Sequence, residues 1–291
     1  MNRRDVLKSM PLLAAAPLSA TPKESLAKKS RLRTAICAYS FRDALKAGTM
    51  TYADLVHMSV EHDVDGLDLT VYWFPNTTND FLLPLRRLAY RNGVEIYSIS
   101  VRSEMTRPTP ELRDKEVAEV KKWIDVAEKL GAGHIRVFGG SVPKGTSEDV
   151  AASWVVEVLK RSAEYAATKG IILGLENHGG ITERAERIID IVKKVDSPWV
   201  AINLDTGNFN RNVFPQIEMC LPYAANVQVK AEMRDESGAR IRQDWDKVVQ
   251  MIAKSGYKGY LALEYEAKED PAVAVPRMMK ELRALTRKYS A

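Results

Sequence analysis

Short apolar runs alternate with longer amphipathic ones along nearly the whole chain. Eight of the short runs read as strands, at residues 34–40, 66–71, 95–101, 134–138, 171–176, 199–204, 226–230 and 260–264. They begin roughly 30–40 residues apart, the spacing that strand-then-helix units produce. Within them apolar residues follow one another without polar alternation, as in parallel strands covered on both faces. The runs between them have helical periodicity. From Lys115 to Leu130, the side chains of Val117, Val120, Ile124, Ala127 and Leu130 fall on one stripe, and Gly131 ends the pattern. Residues 147–169 repeat this, with Gly170 after them. Asp244 is placed to cap a helix running to Lys254 and closed by Gly256, and Asp270-Pro271 opens the last helix with proline at its favoured first position.

Eight such units without a break in composition predict an α/β fold, a closed (β/α)8 TIM barrel over residues 34–291. Its 291 residues suit a single barrel of roughly 250 residues. A doubly wound open sheet is the alternative, but no GxGxxG follows the first strand.

The amino end has a different character. Asn2-Arg-Arg-Asp-Val-Leu-Lys8 precedes a mildly apolar run, Met10 to Ala20, that closes on Leu18-Ser-Ala20. This resembles a twin-arginine export signal over residues 1–20, with a linker at 21–33, and implies a periplasmic protein. Pro11 and Pro17 interrupt the run, which is too short to span a bilayer. A disordered basic tail is the other reading. This segment also explains the net charge of +5. Residues 1–33 carry eight basic and two acidic side chains, which leaves the remainder at −1. A nucleic-acid binder would show a basic domain, and this one is nearly neutral. The two cysteines, Cys37 and Cys220, lie far apart with no CxxC and read as small hydrophobes.

Barrel enzymes build their sites at the C-terminal strand ends. The fifth run, Ile171-Ile-Leu-Gly-Leu-Glu-Asn-His-Gly-Gly180, ends by extruding Glu176, Asn177 and His178, and a polar turn at Thr182 restarts a helix. The sixth exits at Asp205-Thr-Gly-Asn208. The seventh offers Gln228, Lys230 and Glu232 on alternate positions, and the eighth Glu264 and Glu266. Arg136 and Ser40 stand at the fourth and first exits. Three carboxylates at one apolar mouth would repel, and a divalent cation would resolve this. Glu176, Asp205, Gln228 and Glu264 form an all-oxygen set suited to manganese, magnesium or calcium rather than to a structural zinc site. The bland alternative is that these acids cap helices or pair with arginines.

Together, Ala38-Tyr-Ser-Phe41, Gly66-Leu-Asp-Leu-Thr70, Leu173-Gly-Leu-Glu-Asn-His178, Asp205-Thr-Gly-Asn208, Gln228-Val-Lys230 and Leu263-Glu-Tyr-Glu266 resemble the xylose-isomerase-like TIM-barrel superfamily. The superfamily includes sugar isomerases and epimerases, inosose dehydratases and AP endonucleases. The resemblance implies metal ligands at Glu176, Asp205, Gln228 and Glu264, with manganese or magnesium ahead of cobalt or zinc. Two positions depart from the pattern: Asn208 and Gln228 stand where histidines are usual. With four histidines in the chain, two of them (His57 and His62) in the first helix, a His-rich trinuclear zinc site cannot be built, which together with the near-neutral domain counts against DNA repair.

The chemistry implied is proton transfer beside a sugar carbonyl through a metal-stabilised enediolate, with Glu176 or Glu264 moving the proton. His178 would serve as a further acid/base group or orient Glu176. Lys230 would face the developing oxyanion, or pair with Glu232 or Glu264. Arg136 would bind substrate hydroxyls or hold a ligand carboxylate. Asn208, and Tyr72 with Trp73 in Tyr72-Trp-Phe74, complete the substrate-contacting set, although an aromatic cluster there could be loop packing. The mouth shows no glycine-rich phosphate loop, so the expected partner is an unphosphorylated carbohydrate. The runner-up is β-elimination by a lyase or dehydratase acting on a keto-sugar or keto-glycoside. A third reading is a non-catalytic sugar-binding barrel. No membrane contact is expected after signal removal, and homo-oligomers are common in the superfamily.

Overall fold

The computed structural model describes residues 30–290; the expected export signal and most of the linker lie outside them. Eight parallel strands close a barrel: β1 (Arg31–Cys37), β2 (Gly66–Thr70), β3 (Glu95–Ser100), β4 (His134–Phe138), β5 (Ile172–Glu176), β6 (Val200–Asp205), β7 (Ala224–Lys230) and, after a two-stranded insertion, β10 (Lys258–Glu264). Each pairs with its chain neighbour, and β10 pairs with β1 to seal the cylinder. The (β/α)8 reading is therefore correct.

Two boundaries differ from the sequence reading. β1 starts at Arg31 because Arg31 and Leu32 continue the register with Lys258 and Gly259 of β10. The expected linker thus loses its last residues to the barrel. The helix expected from Lys115 begins at Pro110, where the Thr109 side chain accepts a hydrogen bond from the Leu112 amide. The caps expected at Asp244 and Asp270 form, and Ser147 caps a third helix. Ser147 accepts from the Val150 amide, Asp244 from that of Lys247 and Asp270 from that of Ala272.

The insertion is a small antiparallel hairpin, β8 (Glu232–Arg234) and β9 (Arg240–Arg242). The sequence placed Glu232 on the seventh strand. In the fold β7 stops at Lys230, and Glu232 opens the hairpin. A three-residue strand around Met233 has too little pattern to register as an element.

The apolar core lies between the strands and the surrounding helices, with Leu173, Ile188, Ile202, Leu204, Val248 and Leu263 fully buried. The barrel interior is polar instead. The Tyr97 hydroxyl donates to Asn226 Oδ1 (3.0 Å), Asn226 Nδ2 to Asn203 Oδ1 (2.7 Å) and Asn203 Nδ2 to Gln228 Oε1 (2.8 Å). Gln228 Nε2 donates to Asp68 Oδ2 at 3.3 Å, and Asp68 Oδ1 accepts from Ser100 at 2.9 Å. Below, the Tyr97 and Tyr260 rings stack with centroids 3.8 Å apart. His134, paired with Ser98, also fills the interior. It crowds Gly174 so closely that an added Cβ would lie 2.1 Å from His134 Nε2, which requires glycine there. Cys37 and Cys220 are free and buried. Among the described residues, no helix is long and apolar enough to cross a membrane.

Candidate active site

The C-terminal strand ends open into a cleft of about 170 Å3 lined by Tyr39, Tyr72, Arg102, Arg136, Phe138, Glu176, His178, Lys230, Glu264 and Glu266. Most of the expected site residues meet here. Glu176, at the end of β5, is buried between two partners. Arg136 Nε of β4 lies 2.9 Å from its Oε2, and Asn208 Nδ2 donates to its Oε1 at 3.0 Å. Arg136 is fixed in turn. Its Nη1 donates to the Tyr72 hydroxyl and the Val101 carbonyl, both at 3.1 Å, and its guanidinium lies 4.1 Å from the centre of the Phe138 ring. Arg136 thus holds the Glu176 carboxylate.

Asp205, at the end of β6, is clamped from the side by Asn177. The Asn177 amide donates to the Asp205 carbonyl and accepts from the Asp205 N–H, each at 2.8 Å. That amide pairs both backbone groups of Asp205, a role the sequence reading did not assign. Asp205 Oδ1 accepts from the Gly207 amide at 2.8 Å, which turns Oδ2 toward Lys230, 3.3 Å from its Nζ. Lys230 also lies 3.1 Å from Glu264 Oε2 and touches Glu266. The expected partner Glu264 is confirmed, whereas Glu232 pairs with Arg240 on the hairpin at 3.7 Å.

Electrostatics follow from this burial. Desolvation pushes the Asp205 carboxyl up to about 7, with Lys230 opposing and Glu264 adding. Burial likewise raises Glu176 against the opposing pull of Arg136. Burial alone would lower Lys230, but Asp205, Glu264 and Glu266 hold it well above the usual ammonium value, so it is charged. His178 stands at the rim with its imidazole over Phe138, ring centres 4.3 Å apart. Burial of that face, with Arg136 and Lys230 nearby, lowers its pKa and leaves it neutral at neutral pH. Trp73 stacks on Tyr39 at 5.9 Å, and Tyr72 meets both edge-on; Tyr39 and Tyr72 line the cleft, while Trp73 packs against them without lining it.

The Gln228 carboxamide, expected among the ion's ligands, is engaged inside the barrel instead: its oxygen accepts from Asn203, and its nitrogen donates to Asp68 and faces Cys37. Among the described residues, no three or more His, Cys, Asp or Glu side chains are drawn into a preformed cage. The donor chemistry at the mouth nevertheless suits a hard ion. Glu176 Oε2 and Asp205 Oδ2 are buried without a hydrogen-bond donor, facing cations instead. Glu176 and Glu264 line the opening, and the fully buried Asp205 is joined to Glu264 through Lys230.

A sequence profile of the xylose isomerase-like TIM barrel matches residues 55–285. The chain belongs to this family. A putative hydroxypyruvate isomerase from Mus musculus is 26% identical over 162 residues, covering 50% of this chain and 57% of the mouse protein. The chain therefore spans little more than half the length of that relative. Among solved structures, D-psicose 3-epimerase from Clostridium cellulolyticum H10 superposes with a TM-score of 0.71 at 16% identity, covering 88% of this chain and 99% of the epimerase. A xylose isomerase-like TIM barrel protein from Mycobacterium smegmatis, solved with magnesium, gives 0.69 at 19% identity over 89% of this chain and 98% of its own. At such identities the superpositions show a shared fold.

Proposed function

We propose that this chain is an isomerase or epimerase of an unphosphorylated carbohydrate that moves a proton on the carbon beside a carbonyl. The observation that carries this reading is the mouth itself. Glu264, a neutral His178 and two cations, Arg136 and Lys230, face one cleft. Family membership and the likeness to sugar-converting enzymes support it.

Glu176 is committed to Arg136 and Asn208, which makes it an anchor rather than the proton carrier. Glu264, held only by Lys230 among its ion pairs, takes the proton from carbon, and the electron pair moves to the carbonyl oxygen. Lys230 and Arg136 set positive charge against that oxygen. His178, across the cleft, accepts or returns a proton on the other face, so that one carboxylate and one imidazole serve the two sides. Tyr72, Trp73 and Asn208 would hold the sugar. A hard divalent ion, manganese or magnesium, on Glu176, Asp205 and Glu264 would polarise the carbonyl and lower the acidity barrier of the adjacent carbon. The Arg3-Arg4 segment supports a substrate met outside the cytoplasm, which cell fractionation of the full-length chain would test.

One observation favours a second reading, β-elimination from a keto-glycoside. A second cleft of about 150 Å3 shares Lys230 and Glu266 with the first and is walled by Asn208, Asn210 and the hairpin residues Arg234 and Arg240. A leaving group would find room there. The deciding experiment incubates the protein with ketoses and 3-keto-glycosides in D2O and follows them by NMR. Deuterium at the carbon beside the carbonyl, with the carbon skeleton and substituents retained, supports isomerisation. Loss of the aglycone with formation of an enone supports elimination. No exchange and no product across the panel would refute both.

A further inference from the structure

Lys230 is the one buried lysine among the described residues, and its head group stands on the oxygens a divalent ion would use. Nζ lies 3.3 Å from Asp205 Oδ2 and 3.1 Å from Glu264 Oε2. The backbone beneath it is fixed. The Lys230 N–H donates to Thr206 Oγ1 at 3.1 Å, and the Trp245 indole donates to the Lys230 carbonyl at 2.7 Å. Only the four-carbon stem is left to move. Its end already touches a third carboxylate, Glu266, which is more exposed and lies at the rim, on the side of the second cleft.

Two full charges cannot share the same carboxylate oxygens at contact distance, because like charges at such separations repel strongly in a poorly solvated site. We infer that Lys230 is a tethered counter-ion that competes with a divalent cation for Asp205 and Glu264, and that Glu266 receives the ammonium when the cation binds. The inference rests on the divalent-ion part of the proposed function. It assigns this chain a property of its own: its affinity for the metal is set by the cost of moving one lysine from two buried carboxylates to a rim carboxylate. It also gives Glu266 a positioning role, acting on the metal through Lys230 without ligating it.

The test is Mn2+ binding to the full chain, read by the loss of the free-ion EPR signal and by calorimetry, with no substrate present. Lys230→Met should bind Mn2+ at least about tenfold more tightly than the native chain, and Lys230→Arg, which keeps the charge, should not. Glu266→Gln should weaken binding several-fold in the native background and have no effect in the Lys230→Met background. Because Lys230→Met leaves buried acids unpaired and could fold poorly, circular dichroism and Lys230→Gln accompany it, while Glu266→Gln tests the inference without touching the lysine. Equal or weaker binding by folded Lys230→Met and Lys230→Gln overturns the inference. So does an equal loss from Glu266→Gln in both backgrounds, which would make Glu266 a ligand. If the native chain binds Mn2+ and these outcomes follow, only the role of Lys230 falls. If neither the native chain nor folded Lys230→Met binds Mn2+ at millimolar concentration, the divalent-ion reading falls with it.

Discussion

At the level of Asn203, Asn226 and Gln228, side-chain amides inside the barrel answer one another in a hydrogen-bonded chain from Tyr97 to Asp68. At the strand ends above, the groups are of similar size and equally buried, but they do not close on themselves. Glu176 Oε2 and Asp205 Oδ2 have no hydrogen-bond donor, and charge is balanced by Arg136 and Lys230. Buried polar groups in stable interiors are normally hydrogen-bonded. Carboxylate oxygens balanced by an ion pair and by no hydrogen-bond donor are poised to exchange that partner for a ligand. The contrast separates a structural layer from a chemical one within the same eight strands.

The sharpest way to break this contrast is to remove a group of the upper level that is assigned to the chemistry. Glu264→Gln should lower exchange of the substrate proton by about 10²–10⁴-fold, the usual contribution of a positioned acid or base, measured as deuterium uptake by NMR. An unchanged rate would move the chemistry elsewhere. Next comes Arg136→Met, which leaves Glu176 buried beside no cation. Urea unfolding should show a loss of roughly 3–5 kcal/mol, and adding Glu176→Gln should restore most of it. If the double variant is no better, Arg136 acts through Tyr72 and Val101 instead.

The lower level should respond in the opposite way. Gln228→Ala unpairs Asn203 and Asp68, and should cost roughly 1–3 kcal/mol of stability while Mn2+ binding stays near the native value. Abolished binding would return Gln228 to the ligand set and erase the distinction between the layers.

His134 is the exception within the lower level, since its Nε2 is buried without a partner and burial lowers its pKa to about 3. In the folded chain it binds fewer protons than in the unfolded chain, where the ordinary value near 6.5 applies. Its contribution is therefore complete above pH 6.5 and is lost as pH falls toward 3, at about 1.4 kcal/mol for each pH unit within that window. His134→Asn should flatten the acid limb of a stability–pH curve, and an unchanged limb would refute this. The smallest effect is expected at the rim of the upper level. Trp73→Ala should raise KM a few-fold with kcat nearly constant, as loss of the ring stacked on Tyr39 loosens the aromatic wall and weakens binding shared by substrate and transition state. A fall in kcat alone would instead give Trp73 a part in the chemistry.

Much of this was legible in the chain. Apolar runs spaced by amphipathic ones set the barrel, because each strand covered on both faces must be apolar and each helix must bury one stripe. Gly131, Gly170, Asp244 and Asp270 marked helix ends through capping chemistry that acts over a few residues. Polar strand exits named Glu176, Asp205, Lys230 and Glu264 before any coordinates were needed.

Depth within the barrel was not legible. The period of two along β7 turns Asn226, Gln228 and Lys230 to the same side, and nothing in the spacing says which of them reaches the mouth. That is decided by strand tilt and by the register of β6 against β7, which shifts between Ile202 and Asn203 and sets Gln228 opposite Asp205. Pairing was hidden for the same reason. Arg136 meets Glu176 across β4 and β5, and Lys230 meets Glu264 across β7 and β10, only once the sheet has closed. The sequence by itself determined the fold and the chemical types brought to one rim, because those depend on local periodicity. The tertiary structure alone decided which carboxylate faces which cation, because that depends on angstrom-scale offsets between strands far apart in the chain.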